Sequence, residues 1–133
     1  MHRRVIDENP VASKMSLKFW TIALGIGMTA AGLAHFCLTR KYLPIVPRFL
    51  PQRMGIVVIS GVIELAAGIG LFFPPVRKEA AFVVLVLMVG FLPLHAWDMF
   101  RSRPAMGPHW VAVIRFALQF LLIYWAWRVW QAG

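Results

Sequence analysis

The sequence predicts an all-α integral membrane protein, a four-helix transmembrane bundle with an interfacial segment between helices 1 and 2. Of its 133 residues, 60% are hydrophobic and only 14% are charged, against about a quarter in ordinary soluble domains. A soluble domain of this size has too small an interior to bury so much apolar surface. The apolar residues also fall into four runs, each close to the roughly 20 residues that a helix needs to cross a bilayer.

The four runs define the predicted domain organisation. We expect residues 1–16 to form a polar N-terminal tail and residues 17–130 to form one membrane domain. The predicted spans cover about residues 17–38, 54–73, 80–100 and 110–130. Tryptophans lie near the ends of these runs, where an apolar ring with one polar N–H suits the headgroup boundary.

Prolines separate the predicted spans. All but one of the nine lie outside them, where a missing backbone donor interrupts no helix. The exception, Pro93, is predicted to kink the third span and to free the carbonyl oxygen of Val89 for a neighbouring helix.

The segment from Thr39 to Arg53, here called the first connection, mixes apolar and basic residues with a proline every three or four positions. We expect it to lie on the membrane surface and to cap the bundle, although a plain amphipathic linker is the alternative.

The net charge is +9. Because the basic residues lie mainly between the spans, we expect them to face the lipid bilayer rather than nucleic acid. The basic residues are divided almost equally between the two sides of the membrane, so they do not fix the orientation of the protein. We expect both termini on the cytoplasmic side.

Ionisable side chains inside a span are costly and usually face the bundle interior. At a rise of about 1.5 Å per residue, the polar residues of all four spans fall in the same half of the bilayer. They lie beneath the first connection and the third connection, which joins the third and fourth spans at about residues 101–109. We therefore predict a polar intramembrane pocket that binds a ligand, with Glu64 and Arg115 as its charged pair and Asp98 near the rim. Its predicted residues are His35, Glu64, His95, Asp98, Arg115 and Gln119.

Three roles for this cluster stay open: a buried ion pair that only fixes helix register, a ligand pocket, or a proton path. Haem ligation by His35 and His95 is a less favoured possibility. A metal site built from His35, His95, Asp98 and Glu64 has suitable ligand types but no local spacing motif, and no metal is expected.

Several short patterns resemble a known family when taken in order. They are Gly32-x-x-His35-Phe36, Ile45-Val46-Pro47-x-x-Leu50-Pro51, Ser60-Gly61-x-x-Glu64-x-x-x-Gly68 and Arg115-x-x-x-Gln119. Together they resemble the DoxX-like family of small bacterial inner-membrane proteins, over about residues 17–130. The resemblance carries over at His35, Glu64, Arg115 and Gln119. It departs at Pro93-Leu94-His95, where many relatives have Pro-Ala-Asn.

The resemblance implies a multi-pass protein of the bacterial cytoplasmic (inner) membrane. Relatives include the membrane subunit of a thiosulfate:quinone oxidoreductase. We therefore expect a membrane subunit or accessory of a quinone-linked redox or sulfur-oxidising system, with quinone as a possible ligand and soluble redox-enzyme subunits as possible partners. Two other functions compete: a non-catalytic scaffold that anchors soluble partners, and a small transporter or channel.

Overall fold

A computed structural model describes residues 9–133, and within this range the protein is all-α, as predicted. The predicted polar tail lies partly outside the described residues. Within them, the first helix already begins at Pro10, well before the predicted start of the span. The local sequence explains this early start: Asn9 accepts a hydrogen bond from the backbone N–H of Val11 at 3.1 Å, and proline suits the first helical position.

The described chain contains four long helices and one short one. In chain order they are α1 (Pro10–Cys37), α2 (Thr39–Tyr42), α3 (Arg53–Gly70), α4 (Arg77–Phe100) and α5 (His109–Ala132). Short 3₁₀ turns cover Leu43–Ile45 and Pro74–Val76. The second predicted span extended to Phe73, but α3 ends at Gly70, because a turn leads into the two prolines at 74 and 75. The four long helices are long and apolar enough to cross a membrane.

Neighbouring long helices run antiparallel. Helix α1 packs mainly on α3 and α4 mainly on α5, while α3 contacts α4 and α1 touches α5 only slightly. Small residues bring α1 and α3 together: a methyl group added at Gly68 would lie 2.6 Å from the backbone nitrogen of Thr29. Such close backbone approach is typical of helix pairs in membranes. There the helices associate through van der Waals packing rather than the hydrophobic effect, and small residues allow that packing.

Most large apolar side chains of the bundle point outward. The core between the helices is small and centred on Leu24, Leu71, Val84 and Met88. In each predicted span, 28% or less of the most apolar window is buried. An apolar surface this extensive is untypical of a soluble monomer, whereas it is suited to contact with the acyl chains of lipids. The fold is therefore compatible with a multi-pass membrane protein.

The first connection covers one end of the bundle, as predicted for a capping segment. Ile45 and Val46 are buried. Arg53 donates to the carbonyl oxygens of Val46 at 3.0 Å and Leu43 at 2.5 Å, and Arg101 donates to the carbonyl oxygen of Pro44 at 2.5 Å. Two arginines thus attach the connection to the ends of α3 and α4, which a loosely tethered linker would not require.

Candidate functional site: a polar cavity beneath the first connection

A cavity of about 70 Å³ lies between α1, α3, α4 and the first connection. Its polar wall is formed by two histidines, a serine and a tyrosine, and the rest of the wall is apolar. The lining residues are His35, Tyr42, Ile45, Val46, Ile56, Val57, Ser60, Phe91, Leu94 and His95. Tyr42, Ile45 and Val46 belong to the first connection, so this segment forms the lid of the cavity.

His35 reaches the cavity from the last turns of α1 and is held by α3. Its Nδ1 lies 2.9 Å from the carbonyl oxygen of Val57 and 3.2 Å from the hydroxyl of Ser60. A carbonyl oxygen only accepts hydrogen bonds, so Nδ1 must carry a proton. Nε2 then faces the carboxylate oxygen Oε2 of Glu64 at 3.2 Å. The two atoms are within ion-pair distance, but Oε2 of Glu64 makes no hydrogen bond with the described residues.

Glu64 is only 3% exposed, and its partner differs from the predicted one. We predicted that Glu64 and Arg115 form the charged pair, and this is wrong: Glu64 contacts His35, and Arg115 pairs with Asp98. The packing explains the exchange. Helix α3 lies directly against α1, which carries His35, whereas α5 lies against α4, which carries Asp98.

Asp98 lies near the end of α4, as predicted, but its side chain is 0% exposed. The third connection folds over it, and the backbone N–H of Ala105 donates to Oδ1 at 2.8 Å. Its other oxygen accepts from Arg115, and Arg101 lies 3.4 Å from Oδ1. Asp98 therefore ties together α4, α5 and the third connection, and through Arg101 it reaches the first connection.

His95 and Arg115 carry buried polar atoms without a partner. His95 lines the cavity, and its Nδ1 makes no hydrogen bond. The Nε and Nη1 atoms of Arg115 are likewise buried and unbonded. Leaving such groups unsatisfied is costly, so they are the atoms that would bind water or a polar ligand. The predicted polar residues thus form two separate pairs, His35 with Glu64 and Asp98 with Arg115, and of the predicted residues His35 and His95 line the cavity.

Gln119 lies apart from the cavity, deeper in the α4–α5 interface. Its Nε2 donates to the carbonyl oxygen of Met88 at 2.6 Å. Helix α4 continues through Pro93, whose missing N–H was predicted to free the carbonyl of Val89. The neighbouring helix instead contacts the carbonyl one residue earlier. Gln119 therefore joins two helices next to the proline and does not line the cavity.

Tyr42 and Ser60 line the cavity but were not among the predicted site residues. The ring of Tyr42 lies 4.3 Å from that of His35, measured between centroids. Burial raises the pKa of Tyr42 above its ordinary value of 10.0; the negative charge of Glu64 adds to the rise, and the positive charge of Arg115 opposes it. Tyr42 lies in the first connection, which was predicted to cap the bundle, and this position could have identified it as a cavity residue.

The cavity and its donors can be tested against the ligands considered. A cavity of about 150 Å³ accommodates benzene, so 70 Å³ holds water but no quinone ring unless the lid moves. In the cavity wall, Nδ1 of His95 makes no hydrogen bond and can donate to a carbonyl oxygen when it carries the ring proton. Both nitrogens of His35 are engaged, which does not fit haem ligation. Among residues 9–133, no three His, Cys, Asp or Glu side chains group as a metal site.

Comparison with known proteins gives a family without an assigned function. No curated protein and no solved structure matches the chain. Residues 24–130, which include all four long helices in whole or in part, match the family described as "Domain of unknown function (DUF8561)". Because this match covers most of the sequence, the chain belongs to the DUF8561 family.

Proposed function

We propose that the protein is a membrane subunit or accessory of a quinone-linked redox system in the bacterial inner membrane, and that the cavity beneath the first connection receives the ring of a quinone. The resemblance to DoxX-like proteins supports this proposal, as does the presence of buried donors beside an apolar wall, which suits a ring with carbonyl groups. The reaction partners would be soluble redox-enzyme subunits at the membrane surface.

The contact between His35 and Glu64 is the observation that carries the proposal. Nε2 of His35 and Oε2 of Glu64 lie 3.2 Å apart, and His35 itself lines the cavity. A bound quinone supplies redox chemistry in which proton uptake accompanies electron uptake. A buried imidazole and carboxylate form a pair that can hold and release a proton near such a ring.

The lid must move for a ring to enter. Tyr42, Ile45 and Val46 close the cavity, and Arg53 and Arg101 hold the backbone of this segment through hydrogen bonds. These bonds are few and lie at the end of the bundle, so displacement of the lid leaves the packing of the four long helices intact. Ring binding would then give a partner to Nδ1 of His95, which lines the cavity and makes no hydrogen bond.

A second candidate function is proton transfer through a hydrated cavity without a ring ligand. The volume of the cavity favours it, because about 70 Å³ is enough for a few water molecules. In this case water bridges His35 and His95, and Glu64 supplies the exchangeable proton. The two functions differ in whether the purified protein contains a quinone.

The experiment is gentle purification followed by native mass spectrometry and an absorbance spectrum. We expect wild-type protein to retain a quinone, and Glu64→Gln to retain roughly tenfold less, because the carboxylate next to His35 is lost. Glu79→Gln is the matched control, since Glu79 is exposed at the start of α4. Wild-type protein without quinone, combined with proton flux in vesicles that Glu64→Gln abolishes, would replace the quinone site with the proton path.

A further inference from the structure

A second cavity, of about 550 Å³, is lined by the first connection and the end of α4, and Val46 lines both this cavity and the polar cavity. Three arginines and two aromatic residues contribute to its wall: Arg48, Arg53, Arg101, Phe49 and Trp97. Its volume is within the range of about 300–1,000 Å³ that ligand sites occupy. This basic cavity is separate from the proposed quinone site and is not needed for it.

Two of the three arginines are fixed in place by the backbone of the first connection. Arg53 donates to the carbonyl oxygens of Val46 and Leu43, and Arg101 donates to that of Pro44. A guanidinium group has five N–H donors in a rigid fork, so each arginine keeps donors that these bonds do not use. Arg53 and Arg101 therefore present oriented cationic donors, and Arg48 is the one of the three arginines that binding would have to order.

The positive charge of the basic cavity is poorly balanced. In the described part of the chain, the ion pair of Arg101 with Asp98 is the only one that these three arginines make. Asp98 is also the partner of Arg115, so one carboxylate serves two guanidinium groups. Arg48 and Arg53 add two further positive charges. An anion is the ligand that this arrangement favours, and arginine forks match phosphate oxygens in particular.

The aromatic residues indicate that the anion is attached to an apolar group. Phe49 is 74% exposed and Trp97 is 49% exposed, and their rings meet edge to face with centroids 6.0 Å apart. Trp97 lies near the end of a membrane span, where tryptophan marks the headgroup boundary. We propose that Arg48, Arg53 and Arg101 bind the phosphate of an anionic phospholipid, with Phe49 and Trp97 contacting the start of its acyl chains.

Native mass spectrometry of the full chain in detergent, titrated with phosphatidylglycerol, tests the proposal. The variant is Arg48→Gln, because Arg48 is exposed and its loss leaves the bonds to the first connection intact. The matched control is Arg40→Gln, an equal change of charge at an exposed position of the same connection that does not line the cavity. We expect Arg48→Gln to weaken binding roughly tenfold, and Arg40→Gln to weaken it by no more than about threefold, because salt screens an exposed charge outside the site.

Two further measurements separate the alternatives. Phosphatidylcholine, which has no net charge, should bind much less tightly than phosphatidylglycerol, and inorganic phosphate at equal concentration should not displace the lipid. Equal weakening by Arg40→Gln and Arg48→Gln would overturn the proposal, because it would reduce binding to diffuse attraction by basic loops. Displacement of the lipid by inorganic phosphate would also overturn it and would make the cavity a site for a soluble phosphate.

Discussion

His35 and Gly61 face each other across the α1–α3 interface so closely that no side chain fits at position 61. A methyl group added at Gly61 would lie 2.5 Å from the Cβ of His35, far inside ordinary van der Waals contact. This close approach places the imidazole of His35 against Val57 and Glu64 on the same helix. The geometry of the polar cavity thus depends on one missing side chain.

Gly61→Ala is expected to destabilise the protein by about 1–3 kcal/mol, the usual cost of overpacking a tight interface. The added methyl group must push α1 away from α3, and His35 then moves away from the carbonyl oxygen of Val57. Thermal unfolding in detergent measures the loss of stability. A fall in quinone content, where quinone is present in the wild type, would show the effect on the cavity.

Gly27→Ala is the matched control for this substitution. Gly27 lies within α1, and a methyl group added there has no neighbour within 4 Å. Since alanine is the better helix former by up to about 1 kcal/mol, this variant should be neutral or slightly more stable. If the two alanine variants unfolded at the same temperature, the close α1–α3 contact at His35 would not be a feature of the folded protein.

Asp98→Asn is expected to destabilise the protein by about 3 kcal/mol, because it leaves the guanidinium group of Arg115 in the bundle without its carboxylate. Equilibrium unfolding in mixed micelles measures this change. Glu79→Gln, the same kind of change at an exposed position of α4, should have almost no effect. Combining Asp98→Asn with Arg115→Gln should recover part of the loss; additive losses would mean that the two side chains do not depend on each other.

The number of long helices and their approximate bounds could be predicted because they depend on composition and length alone. Four apolar runs separated by prolines and basic residues allow few other structures in a bilayer. The capping position of the first connection was also predictable, since the segment from Thr39 to Arg53 is too apolar for water and too rich in proline for a long helix. The predictions of the helix number, the helix bounds and the position of the first connection do not depend on which helices contact each other.

The partners of the polar residues could not be predicted, because depth in the membrane says nothing about rotation around the bundle. Glu64 and Arg115 both lie in the half of the bundle beneath the connections, but the helix next to α3 is α1, and it brings His35. That neighbour is selected by glycines that permit close approach, such as Gly61 and Gly68. The sequence shows where these glycines lie along the chain, but it does not show which surface of which helix packs against them.

Gln119→Leu is expected to lower the stability of the bundle by about 1 kcal/mol without changing the ligand content of the polar cavity. Leucine keeps an apolar volume between α4 and α5, but the hydrogen bond from Nε2 to the carbonyl oxygen of Met88 is lost. Interhelical hydrogen bonds in membranes contribute on average about 0.6 kcal/mol and at most about 1.7 kcal/mol, so a larger loss is not expected. Thermal unfolding and native mass spectrometry of one preparation give both readouts.

Gln131→Leu is the control for this prediction, because Gln131 is exposed near the end of α5 and its replacement removes the same chemical group from the same helix. It should leave both readouts unchanged. Gln119 bonds to the carbonyl oxygen of Met88, just over one turn before Pro93 within the continuous helix α4. Its expected role is to hold α5 against that part of α4. Unchanged stability of Gln119→Leu together with loss of a bound ring would contradict this role and would place Gln119 among the ligand-binding residues.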